Sequence, residues 1–134
     1  MSKKNETATR IMLVDDDAKL RMTLCRVLSR QGFNTEGIAS ATEALERLDN
    51  DYDLLITDLK LKDKLDGLDL LQSAIRKYPH LSVIMMTGHG TIQSAVEAMK
   101  AGAFDYLTKP FEIDVFVATV NNAAGARQKK HAQA

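Results

Sequence analysis

Residues 11–17 read Ile11-Met12-Leu13-Val14-Asp15-Asp16-Asp17, four apolar side chains in an unbroken run followed at once by three carboxylates. A strand with one wet face alternates apolar with polar residues, so an unbroken run predicts a strand covered on both faces, as in a parallel sheet between helices. The acids stand where that strand ends, and Asp17 is placed to cap a following helix. From 19 to 31 the apolar residues Leu20, Leu24, Val27 and Leu28 keep helical spacing, and Gly32 stops the segment.

The same pattern repeats along the chain. Residues 33–38 form a shorter, more polar extended piece suited to a sheet edge. Ser40 and Glu43 are spaced as a capping box before Ala41, Ala44, Leu45 and Leu48. Leu54-Leu55-Ile56-Thr57 is a second buried strand ending at Asp58. A helix then opens at Asp66 or Gly67, carries Leu68, Leu71, Ile75 and Tyr78 on one face, and closes at Pro79. Val83-Ile84-Met85-Met86 ends at Thr87. Ile92, Ala95, Val96 and Met99 mark a helix ended by Gly102, residues 104–108 a short strand, and Ile113, Phe116, Val117, Val120 and Ala124 a last helix. Strands alternating with helices predict an α/β fold with a parallel sheet, right-handed crossovers and helices on both faces.

Composition narrows the function. The 134 residues suit one domain, and 45% hydrophobic with 27% charged residues is ordinary for a globular chain. Eighteen Lys and Arg balance eighteen Asp and Glu, a balance that disfavours direct nucleic-acid binding by this domain. The single Cys25 excludes an internal disulfide and a multi-thiolate zinc site, and reads as core filler. The apolar runs fall far short of the roughly 18 residues of a membrane span, and Met1 to Arg10 is polar, which predicts a cytoplasmic domain.

Ligands of open parallel sheets bind beyond the carboxyl ends of the strands. Standing there are Asp15, Asp16 and Asp17 after the first strand, Asp58 after the third, Thr87 after the fourth and Lys109 after the fifth. Each alone is an ordinary cap, turn or surface residue; their convergence on one rim is the informative feature. Carboxylates about 4 Å apart repel by up to about 4 kcal/mol per pair at an effective dielectric near 20, so such a cluster calls for a cation or a shared proton. All-oxygen ligands favour a hard ion such as Mg²⁺. Beside a hydroxyl donor and a lysine, that set is equipped for phosphoryl transfer, with an aspartate as a competent nucleophile.

Four segments, Leu13-Val14-Asp15-Asp16-Asp17, Leu55-Ile56-Thr57-Asp58, Met86-Thr87-Gly88 and Tyr106-Leu107-Thr108-Lys109-Pro110-Phe111, resemble in order and spacing the motifs of the receiver domain of bacterial two-component response regulators, over about residues 10–126. The resemblance implies a flavodoxin-like (βα)5 doubly wound sheet of order 2-1-3-4-5. It implies that Asp58 accepts a phosphoryl group from a sensor histidine kinase, with Mg²⁺ held by Asp15, Asp16, Asp58 and the backbone carbonyl of Lys60. Of the acid pair, Asp16 would bind the metal directly and Asp15 mainly through water. Thr87 and Lys109 would contact the phosphoryl oxygens, and the Lys109-Pro110 bond would be cis. Thr87 drawn inward would let Tyr106 rotate, changing the face of the fourth helix, fifth strand and fifth helix that a partner reads. Such a domain is a phosphoacceptor whose own chemistry is limited to self-catalysed phosphotransfer and dephosphorylation. Lys60 and His89 match positions that tune phosphoryl lifetime.

The segments Met86-Thr87-Gly88-His89-Gly90 and 98–107 resemble receivers of NtrC-type activators, which implies an attached transcription-activator output. A homodimer through the fourth or fifth helix is a further family expectation. Residues 1–9 are expected as a flexible tail, 10–126 as the receiver domain, and 127–134 as a tail or the start of a linker. One departure stands out. The family commonly has proline four residues after the phosphorylated aspartate and glycine eight after it, whereas this chain has Lys62 and Gly67, in a loop one residue longer and rich in charge. The alternative within the same fold is a degenerate or stand-alone receiver serving as an interaction module. A haloacid-dehalogenase-type phosphatase is disfavoured by Lys19 at the last position of its D-x-D-x-[TV] motif. A flavodoxin is disfavoured by three acids where a phosphate would sit.

Overall fold

Five parallel strands, β1 (Arg10–Val14), β2 (Asn34–Ile38), β3 (Leu54–Asp58), β4 (Ser82–Thr87) and β5 (Asp105–Thr108), make one sheet in the order β2-β1-β3-β4-β5. They alternate with α1 (Ala18–Arg30), α2 (Ala41–Arg47), α3 (Gly67–Lys77), α4 (Ile92–Lys100) and α5 (Ile113–Gln133). This computed structural model describes residues 8–88 and 92–133. The expected doubly wound (βα)5 order 2-1-3-4-5 is therefore present.

The period of two along each strand explains why continuous apolar runs were needed. Met12, Val14, Leu55, Val83 and Met85 face one way, into a core completed by Ala41 and Ala44 of α2, Leu70, Leu71 and Ala74 of α3, and Ala98 of α4. Ile11, Leu13, Leu54, Ile56, Ile84 and Met86 face the other way, onto Leu24 and Leu28 of α1 and Phe116, Val120 and Ala123 of α5. Burying a side chain of this size contributes about 1.5–3 kcal/mol, so the two cores fix the register of the sheet.

The caps match the sequence in kind. Asp17 accepts from the amides of Lys19 and Leu20 and starts α1, and Ser40 accepts from the amide of Glu43 and starts α2. The Glu43 carboxylate turns to Arg47 Nε at 3.1 Å, and the reciprocal capping box forms at α3, between Asp66 and Asp69. Two strands begin one residue later than expected: Phe33 packs into the α1–α5 core, and Phe104 donates its amide to the Val83 carbonyl just ahead of β5. The stretch from 127, expected as a tail or linker, is helical as far as Gln133. The expected tail at 1–9 falls mostly outside the described residues, as does His89.

Edge strand β2 tolerates Gly37 because α1 lies directly over it; a Cβ there would stand 3.0 Å from both Arg21 Cγ and Cys25 Sγ. Cys25 is half-buried against the core, and burial pushes its thiol pKa up against the opposing charge of Arg21, consistent with a packing role. At the opposite end of the sheet from the acids, the Arg10 guanidinium lies 4.3 Å from the ring centroid of buried Tyr52. The Tyr52 hydroxyl donates to Glu36, which also receives Arg47 Nη1 at 2.6 Å. Burial, followed by the Glu36 hydrogen bond and charge, pushes the Tyr52 phenol up to about 12, against the charge of Arg10.

Candidate functional site

Strand order makes the site. β1 and β3 are neighbours with Val14 opposite Thr57, so the residues that follow in each strand, Asp15 and Asp58, emerge side by side. Asp15 is 0% exposed, and one of its oxygens, Oδ1, accepts from the Asp17 amide at 2.9 Å. Its backbone carbonyl accepts from Arg21 Nη1 at 2.7 Å, so α1 holds the acidic turn from above. Asp58 is also buried, and its Oδ1 accepts from the Lys60 amide at 3.3 Å. Asp16 is half-buried, and its Oδ2 accepts from the Lys62 amide at 2.8 Å. Carboxylate oxygens of Asp15, Asp16 and Asp58 all lie within 4.8 Å of one another.

Lys109 enters from the end of β5. Thr87 and Thr108 are register partners, the Lys109 amide donates to the Thr87 carbonyl at 2.7 Å, and the following Lys109-Pro110 bond is cis, as expected. From there Lys109 Nζ donates to Asp15 Oδ2 and to Asp58 Oδ2, both at 2.8 Å. Burial alone would lower the lysine pKa; the hydrogen bonds and charges of Asp15 and Asp58 outweigh it and hold Lys109 above its usual value. Asp58 lies above the ordinary carboxylate range. Burial raises it and the charge of Asp15 adds to this, more than the bond and charge of Lys109 and the Lys60 amide take away. The ammonium thus stays charged between two carboxylates, and one cation among three acids leaves the pocket with net negative charge. An all-oxygen donor set of this charge suits a hard divalent cation.

Thr87 is buried at the end of β4, one residue beyond the Asp58 partner Met86. Tyr106, opposite Met85 on β5, is 37% exposed. The structure thus joins Asp15 and Asp58 through Lys109, brings the Asp16 carboxylate within 4.8 Å of theirs, sets Lys60 and Thr87 at the same strand ends, and leaves Tyr106 on the adjoining surface.

Several contributors carry no recognisable signal in the sequence. Arg21 is one of many helix-surface arginines until α1 is laid over the acidic turn. Gly67 was legible as a displaced glycine, but its reason is spatial: a Cβ on it would come within 2.0 Å of the Asp58 carbonyl oxygen. Lys62 contributes its amide, which any residue but proline would supply, and the expected family proline is replaced at this position.

A 2-1-3-4-5 sheet thus gathers three carboxylates and a lysine at the rim where doubly wound α/β domains place their sites. Residues 11–121 match the response regulator receiver domain, and the chain belongs to that family. It is 40% identical over 114 residues to the DNA-binding transcriptional regulator NtrC of Proteus hauseri, covering 84% of this chain and 24% of that protein. NtrX from Brucella abortus superposes with a TM-score of 0.86 at 34% identity over 93% of this chain and 29% of that one. The beryllofluoride-activated NtrC4 receiver domain dimer superposes at 0.83, with 27% identity over 88% of this chain and 98% of that one. The chain is therefore an NtrC-like response regulator receiver, and it spans about a quarter of the length of the curated relatives it matches. No helix among the described residues is long and apolar enough to cross a membrane.

Proposed function

We propose that this domain is a phosphorylation switch in which Asp58 captures a phosphoryl group from the phosphohistidine of a sensor kinase. The observation that carries the proposal is Lys109 Nζ shared at 2.8 Å between Asp15 and Asp58. A carboxylate oxygen of Asp58 attacks phosphorus, the P–N bond to the kinase imidazole breaks, and the leaving nitrogen keeps that electron pair and takes a proton. Asp58 becomes an acyl phosphate and the kinase histidine is neutral again.

Asp15, Asp16, Asp58 and the Lys60 carbonyl would hold Mg²⁺, which when bound supplies positive charge to the phosphoryl oxygens. Lys109 transfers its hydrogen bond from the carboxylate to a phosphoryl oxygen, so the charge developing in the transition state meets an ammonium already in place. Thr87 donates its hydroxyl to another of those oxygens. Drawing Thr87 toward Asp58 shifts the end of β4, and Tyr106 turns in from the surface. The face carrying exposed Val96, Met99, Tyr106 and Val115 then changes shape, and a partner reads it. Likeness to NtrC supports a cytoplasmic transcription activator with an output domain following the receiver, and the NtrC4 receiver dimer supports homodimerisation. The acceptor, both partner acids and the lysine are all in place, which weighs against a degenerate receiver.

Acetyl phosphate and Mg²⁺ are expected to add one phosphoryl group to the intact chain, read by mass spectrometry, and excess chelator to prevent it. Labelling at full rate in chelator would rule out the metal's part, and no labelling with metal present would refute the switch.

A further inference from the structure

The β3–α3 loop, residues 59–66, reads Leu-Lys-Leu-Lys-Asp-Lys-Leu-Asp, and its burial alternates in step: Leu59, Leu61, Asp63 and Leu65 are half-buried while Lys60, Lys62, Lys64 and Asp66 are exposed. Asp63 therefore takes a place in a row whose other three members are leucines, all packed against the α2–α3 core. Its carboxylate, though open to solvent, is held by hydrogen-bond partners. It has three: Oδ2 accepts from the Thr42 amide at 2.9 Å and the Thr42 hydroxyl at 2.8 Å, and Oδ1 from the Lys64 amide at 2.7 Å. These bonds hold its pKa below the usual carboxylate value, the Thr42 amide acting most strongly. Thr42 lies in the first turn of α2, where amides lack helical partners. Asp63 thus fastens the middle of the loop to the start of a neighbouring helix.

Facing the acids, the same loop gives the Lys60 amide to Asp58 and the Lys62 amide to Asp16. Both donors come from alternate residues of one curved loop, so their placement depends on where that loop is held. A loop that drifted away from α2 would withdraw the Lys62 amide from Asp16. With Lys62 standing where the family commonly has a proline, the tether to Thr42 supplies the restraint.

We propose that Asp63 is a positioning residue for the cation site: by binding Thr42 it keeps the Lys62 amide on Asp16, which orients that carboxylate toward the metal. The inference rests on the function proposed above. Groups that orient a metal ligand typically change affinity by 10–100-fold when removed.

The test is a Mg²⁺ titration of the unphosphorylated chain, followed through the amide resonances of Asp16, Asp58 and Lys62. Asp63→Ala is expected to weaken Mg²⁺ binding roughly tenfold and to speed hydrogen exchange at the Lys62 amide. Asp63→Asn keeps a carbonyl oxygen for Thr42 and is expected to recover most of the affinity. The acetyl phosphate labelling rate of Asp63→Ala should return to the wild-type value at saturating Mg²⁺. Wild-type Mg²⁺ affinity in Asp63→Ala, whether or not its melting temperature falls, overturns the positioning role while leaving the switch intact. A wild-type chain that does not respond to Mg²⁺ overturns the switch and this inference with it.

Discussion

Lys109 donates from Nζ to Asp58 Oδ2 at 2.8 Å, across 51 positions of sequence. The same ammonium reaches Asp15 at the same distance, so a single cation relieves the repulsion between two buried acids. Lys109→Met removes it. The Asp58 pKa should then rise further, because a group that lowers it is lost. Mg²⁺ should bind about tenfold more tightly, since a competing charge leaves the ligands. Labelling by acetyl phosphate should nonetheless slow about a hundredfold, because the phosphoryl oxygens lose their ammonium. Calorimetric titration and a labelling time course check both, and unchanged values in the variant would contradict the role given to Lys109.

Gly67 tests how closely α3 approaches the end of β3. A Cβ there would lie 2.0 Å from the Asp58 carbonyl oxygen, and backbone cannot yield as a flexible side chain can. Gly67→Ala is therefore expected to cost about 1–3 kcal/mol or more in urea unfolding and to impair labelling through displacement of Asp58. A variant with wild-type stability and labelling would show that the loop relaxes freely.

Tyr52 gives an alkaline signature far from the acids. Its phenol titrates at about 12 when folded, against about 10 when free, so the folded state favours the neutral form. That contribution is complete below pH about 10 and is lost as pH rises toward 12. In a spectrophotometric titration of the native domain, the tyrosinate signal that Tyr52→Phe removes should still be largely undeveloped at pH 11. Tyr52→Phe should lose about 1 kcal/mol at pH 8, from the bond to Glu36, and lose stability less steeply between pH 10 and 12. Full ionisation of Tyr52 at pH 11 in the folded domain would contradict the assignment.

The sheet was legible because its signals are local. Ile11–Val14 and Leu54–Thr57 read as strands buried on both faces, and Asp17 and Ser40 as caps, from neighbouring residues alone. Asp15, Asp58 and Lys109 could be brought together from sequence because strand ends in a parallel sheet share a rim. The contacts of Asp63 with Thr42, Lys62 with Asp16 and Arg21 with Asp15 could not. They depend on the course of one loop and the tilt of one helix, and all three use backbone groups that no residue type marks. The Glu43 carboxylate was misassigned to a capping box for a related reason: Arg47, one turn along α2, offers it a cationic partner.

The most direct measurement is to locate the captured phosphoryl group. After reaction with acetyl phosphate and Mg²⁺, borohydride reduces an acyl phosphate to an alcohol, turning a phosphorylated aspartate into homoserine that peptide mass spectrometry can place. Homoserine at position 58, absent from the Asp58→Asn variant, is the expected result. Homoserine at another position, or equal labelling of Asp58→Asn, would contradict the account.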